Sequence, residues 1–344
     1  MATAPASSPL ELDVEQNALR FSNALHLLRE LVHQGSGRLA LEPRLEAKYA
    51  LADHLHDDAR SVAKLERRLR ELGASPGHPG APGERLAMLL DTGAAARTPA
   101  AYADHAYGVL KPGLIAALRV HLAALDPLAD EPSMRLLTQV LHRQERHVVE
   151  LSPSSPASAP VGDLGALAIR PGELRALPIL PRVDAPARDA YLDLAVERGS
   201  GDGCRVVHDL MNDALCAAEL AARTSHEHPD LPWDFHVDLA RETWDRRRHA
   251  ELCDRLMADA LGCRWGDHPV DFAAFRDRSG LDLAARLARP AQLPPVTIRP
   301  GLEGLERVLE YVRVDEAVYA RRAAHWAAQL RPSPAPSPER PQEA

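Results

Sequence analysis

Long segments of the chain carry apolar residues at helical spacing, and almost nothing alternates with the period of a strand. The pattern runs through "LRFSNALHLLRELVH" (19–33), 45–73, 102–125 and 130–151, resumes from about Tyr191 to His226, and continues over 235–262 and 301–330. Punctuation agrees with it. Gly73 and Gly262 sit where helices should stop, "ASPGHPGAPGE" cannot continue one, and Asp130 is a candidate cap. Pro112 should kink its helix or begin a new segment. "EHPDLPWD" reads as a turn, and 266–289 as a loop with a short helix. Aromatics are only 4% of the chain, while Ala, Leu, Arg and Glu dominate, which favours helix over strand.

With 344 residues, 45% of them hydrophobic, the chain can bury two ordinary cores. Each half supplies about four long helices, so the expected fold is all-α, two four-helix bundles in tandem. The expected boundaries are a disordered N-terminus over 1–18, a first bundle over 19–151, a Pro/Ser/Gly-rich linker over 152–188, a second bundle over 189–330, and a disordered Pro-rich tail over 331–344.

A net charge of −8 gives no bulk attraction to nucleic acid or an anionic membrane. No apolar run reaches the ~18 residues of a membrane helix. The opening "MATAPASSPLELDVEQ" lacks the basic region and apolar core of a signal peptide, so a cytoplasmic location is expected. Cys204, Cys216, Cys253 and Cys263 form no CxxC pair, which argues against a zinc knuckle. They are expected to be reduced, with Cys216 and Cys253 as small core residues. There is no Gly-rich phosphate loop, no GxSxG elbow and no basic–aromatic stripe, so nucleotide-dependent, hydrolase and nucleic-acid functions find no motif. His226 and His228 in "SHEHPD" read as solvated turn residues.

Several ordered segments look familiar together. "EAKYALADHLHDDARSVAKLERRLREL" and "YGVLKPGLIAALRVHLAALDPLADEPSMRLL" in the first half, with "LCAAELAA", "PDLPWDFHVDLARETWD" and "DEAVYARRAAHW" in the second, resemble a bacterial subgroup of the ferritin-like superfamily with tandem bundles. The resemblance covers about residues 20 to 330 apart from the linker, and it implies a superfamily without a substrate. Ferritin-like bundles that bind two iron or manganese ions take a lone Glu from each of two helices and a Glu-x-x-His pair from each of the other two. Residues i and i+3 share a helix face, so both members of a pair project into the bundle centre.

Placed on that pattern, every pair here has lost one member. Asp58 is followed by Ser61, Gln144 precedes His147, Arg246 precedes His249, and Glu316 is followed by Tyr319. Arg246 is the most adverse of these, because a guanidinium cannot be deprotonated and repels a cation. Glu219 in "CAAEL" holds a lone-Glu position, and Arg246 is expected to fork between Glu219 and Glu316 as an internal network in the metal's place. The opposing expectation is a rearranged metal site in the second bundle, with Glu242, Asp245 and His249 on one helix face joined by Glu219 and Glu316. A weaker set in the first bundle is Glu46, His54, Asp58 and His147.

Two functions follow from the resemblance. The first is a degenerate ferritin-like protein with no cofactor, acting as a non-catalytic binding or accessory partner of another protein, such as a metal-competent relative. The alternative is an iron- or manganese-dependent oxidoreductase or oxygenase using the rearranged site. Iron storage is the weakest, since nothing in a tandem chain suggests a closed shell.

Overall fold

The structure is a computed structural model that describes residues 12–74, 81–82, 84–151, 169–170, 202–270, 272–288 and 303–330. The expected tail, residues 189–201, and the linker apart from Ile169 and Arg170 lie outside the described residues. The described residues are nearly all helical. The one extended pairing among the described residues is a two-residue antiparallel bridge, β1 (Ala81–Pro82) with β2 (Ile169–Arg170).

Helix α1 (Val14–Arg38) begins where the Asp13 side chain accepts a hydrogen bond from the Gln16 N–H at 2.7 Å. It therefore starts inside the segment expected to be disordered, because an effective cap and the burial of Asn17 and Ala18 hold those residues in place. Helix α2 (Leu45–Glu71) ends at Gly73, whose φ of 76° lets the Ala74 N–H reach back to the Leu69 carbonyl at 2.9 Å. Helix α3 (Glu84–Ala95), which the sequence pattern left unassigned, has its C-terminal carbonyls bound by a fully buried arginine. Arg38 donates to Gly93, Ala94 and Ala96 at 3.3, 2.8 and 2.7 Å.

Helix α4 (Pro99–His105) runs through a π-helical turn, Ala106–Leu110, into α5 (Lys111–Ala123), and α6 (Glu131–Glu150) follows. Pro112 thus begins a segment, as its missing N–H dictates. The π turn inserts an extra residue just before Lys111 and re-aims it. In the second half lie α7 (Asp202–Glu227), α8 (Trp233–Leu256), a second π turn Met257–Leu261 closed by Gly262 at φ 67°, α9 (Ala273–Ser279), α10 (Leu283–Ala288) and α11 (Glu303–Gln329).

The halves share their packing. Helix α1 packs on α2 and α7, while α2 packs on α1, α6 and α8; α5 pairs with α6, and α8 with α7 and α11. One apolar cluster includes Leu28, Leu55 and Val62 of the first half with Ala222, Trp233 and Ala240 of the second. Close approach of α1 to α2 is permitted by Gly35, where a Cβ would lie 2.9 Å from a Leu55 methyl. Polar ties cross the same seam. The Trp233 indole N–H donates to the Ala59 carbonyl at 3.2 Å, Arg247 pairs with Asp53, and Lys48 pairs with Glu219. His226, expected in solvent, is buried and donates from Nδ1 to the His33 carbonyl at 2.7 Å, because α7 extends through it.

Cys204 and Cys263 form a disulfide, with Cα atoms 6.5 Å apart across 59 residues, which departs from the expected reduced thiols. The left-handed turn at Gly262 returns the chain to the start of α7, a proximity no local spacing announces. Cys216 and Cys253 are buried and lie outside that disulfide, and burial pushes the Cys253 thiol up to about 12. No described helix is long and apolar enough to cross a membrane.

Candidate functional site

Among the buried cations, Lys111 and Arg246 each stand where helices of one half converge. In the first half, Lys111 is 2% exposed at the start of α5. Its Nζ donates to Asp58 Oδ2 at 2.7 Å, to Gln144 Oε1 at 2.7 Å and to His147 Nδ1 at 3.1 Å. An ammonium has three donors, and all three are used. Asp58 accepts at its other oxygen from Gln144 Nε2 at 2.6 Å, so the amide orients both charges. His147 stacks on His54 with ring centroids 3.8 Å apart. His54 accepts at Nδ1 from the Tyr107 hydroxyl and donates from Nε2 to Glu150, both at 2.8 Å. The π turn supplies Tyr107 and aims Lys111, so both come from one local distortion.

Burial dominates the electrostatics here. It raises the Asp58 carboxyl and lowers the Lys111 ammonium, with each opposing the other's shift through their contact. Burial also holds His54 and His147 below the ordinary imidazole value, with Lys111 reinforcing the shift. Both rings are neutral at pH 7.

In the second half the cation is Arg246, 3% exposed on α8. Its guanidinium forks onto Glu316 of α11, with Nη2 at 3.1 Å from Oε2 and Nη1 on Oε1, and Nη2 also reaches Glu242 Oε1 at 3.2 Å. The Tyr319 ring lies beneath it, 4.5 Å from the guanidinium carbon. Burial alone would lower Arg246, but Glu242 and Glu316 outweigh it and the group lies above its ordinary value. Burial raises the Glu316 carboxyl. Arg246 Nε, His249 Nδ1 and the Tyr319 hydroxyl are buried with no hydrogen-bond partner among the described residues. Beside them lies a cavity of about 30 Å3 lined by Arg246, His249, Cys253 and Glu316 among others.

The residues singled out from sequence are distributed as follows. Glu242 and Glu316 meet at Arg246. Glu219, expected as the arginine's second partner, is fully buried and pairs instead with Lys48 of α2. The reason is that α2 packs across the seam and brings its own cation. Asp245 accepts from Arg241 Nε at 2.7 Å and Arg248 Nη1 at 3.0 Å. His249 is bonded through Nε2 to Asp315 at 2.9 Å. In the first half His54, Asp58 and His147 meet around Lys111, whereas Glu46 is exposed in the first turn of α2.

These residues do not fit a di-metal centre. Asp58, Glu219, Glu242, Asp245 and Glu316 are each already bound by an arginine or lysine, and bringing a divalent ion beside those charges is strongly unfavourable. No group of three His, Cys, Asp or Glu among the described residues is arranged to hold a metal. Sequence reasoning missed Lys111, Lys48, Tyr107 and Asp315. The one available signal was Lys111 itself, a lysine directly before Pro112 in an otherwise apolar stretch.

Comparison with protein-family models, curated proteins and solved structures gives no match, so any assignment rests on the chain's own residues.

Proposed function

We propose that the chain is a ferritin-like protein of two tandem four-helix bundles in which a side-chain cation stands in place of the metal. It acts by binding a protein partner, such as a metal-competent relative, and performs no chemistry at a di-metal centre of its own. The observation that carries this reading is Lys111, whose three donors are met by Asp58, Gln144 and His147 at the meeting point of α2, α5 and α6. The Arg246 fork supports it from the second half. Exposed Tyr311 and Val314, three residues apart on α11, are apolar side chains available to a partner.

A second reading, an iron- or manganese-dependent oxidoreductase in the second half, is favoured by one observation. His249 Nδ1 is buried without a partner near Glu316. Elemental analysis of protein purified with iron and manganese separates the two. The expected result is well below one equivalent of metal per chain, unchanged by His249→Ala. About one equivalent, lost on that substitution, overturns the first reading in favour of the second.

A further inference from the structure

Helices α2, α6 and α8 enclose a solvent-open cleft of about 500 Å3 where the two halves meet. Its walls carry five guanidiniums, those of Arg60, Arg146, Arg247, Arg248 and Arg255, against the carboxylates of Asp53, Asp57, Glu150 and Glu251. The carboxylates are already neutralised. Arg247 pairs with both Asp53 and Glu251, and Arg255 adds to Glu251. Arg146 pairs with Asp57 and Glu150, and Arg143 approaches Asp57 at 3.6 Å. From behind the wall, His54 donates to the same Glu150.

Two arginines retain free capacity. Arg60 makes no ion pair among the described residues. Arg248 spends one Nη on Asp245, a carboxylate that Arg241 also holds. Trp244 lies against Arg248. Its ring stacks on His56 at 4.8 Å and lies 4.7 Å from the Arg248 guanidinium carbon, with Arg241 at 4.5 Å. Burial holds His56 down to about 4, so it adds no charge at pH 7. The cleft thus carries a small positive surplus, five guanidiniums against four carboxylates, in a chain whose net charge is −8. Its volume falls in the range of roughly 300–1,000 Å3 typical of small-molecule sites, and it lies at a junction of halves, where such sites concentrate. Guanidinium forks match the oxygens of a phosphate.

We propose that this cleft binds a small, soluble phosphate-bearing molecule, its phosphate gripped by Arg60 and Arg248. A recess between three helices excludes a bilayer or a duplex and admits a compact ligand. The inference goes beyond the proposed function and does not depend on what fills the two buried centres.

The test is calorimetric titration of the full chain with inorganic pyrophosphate at low salt. One-to-one binding is expected, weakened by about tenfold or more in Arg60→Ala and in Arg248→Ala. Arg60 has no ion pair to lose, so its variant should melt as the parent does, and lost binding there reports on the site. Pyrophosphate should also change the tryptophan fluorescence, and Trp244→Phe should abolish that change. Absence of binding overturns the proposal, as does binding that both arginine variants leave intact. Equally tight binding of citrate overturns the phosphate class. Association only with vesicles containing phosphoinositide assigns the arginines to a membrane and overturns the soluble ligand.

Discussion

Lys111 in the first half and Arg246 in the second each lie among acceptors at the meeting of several helices, yet they are satisfied to different degrees. Lysine offers three donors from a compact point, and Asp58, Gln144 and His147 use all of them. Arginine offers five in a planar fork. Glu316 and Glu242 take those at the far end and leave Nε without a partner among the described residues. Their surroundings differ as well. Asp58 is 4% exposed, whereas Glu316 and Glu242 are 16% and 23% exposed and keep some contact with water. The first centre is a closed polar cluster, and the second is a fork held at the edge of the core. Closure makes the first more costly to disturb, because nothing else can solvate what is left behind.

That contrast can be broken by replacing the cations. Lys111→Met leaves the Asp58 carboxyl buried and unpaired, and should cost about 3–5 kcal/mol in urea unfolding. A loss below about 1 kcal/mol would show that the cluster contributes little. Acid should act next. Burial holds His54 and His147 below their ordinary value of 6.5, so the unfolded chain takes up their protons first. Their contribution is complete above about pH 6.5 and is lost as pH falls, on the order of 3 kcal/mol for the two between about pH 6.5 and 5. A stability that stays flat or rises over that interval would contradict their burial as neutral rings.

Arg246→Met should cost less, about 2 kcal/mol, since water can reach the two glutamates it abandons. If it costs more than Lys111→Met, the ranking of the two centres is wrong. The finest distinction lies in the tyrosines. Tyr107→Phe removes a hydrogen bond to His54 and should lower stability by about 1 kcal/mol, while Tyr319→Phe removes a hydroxyl that bonds nothing described and should change it by less than about 0.5 kcal/mol. Equal effects in thermal melts would erase the difference.

The helices were legible because periodicity and punctuation are local. Gly73, Gly262 and Pro112 each mark an end or a beginning from their own backbone chemistry. Burial of Arg246 could be anticipated from three consecutive arginines on one helix, and its bond to Glu316 from the facing position. What crosses between halves was not legible. The expected pairing of Glu219 with Arg246 keeps each half to itself, whereas Lys48 of α2 reaches Glu219 of α7 across the seam. Lys111 escaped notice because a lysine reads as solvated until its neighbours are known. Glu46 and Lys48 are two residues apart, and the choice of which faces inward rests on a register that tertiary contacts set. The arginine cleft likewise assembles from three helices whose charges look scattered along the chain.

The Lys48–Glu219 pair spans 171 residues. A ribosome adding about 5–20 residues per second leaves the lysine waiting roughly 10–30 s for its carboxylate. For that interval the newborn α2 shows water both an ammonium still waiting for Glu219 and the apolar face that α8 will later cover. The first half therefore emerges as an unfinished surface, and anything that recognises exposed apolar chain meets it before the second half does. A truncation after α6 should inherit that state permanently.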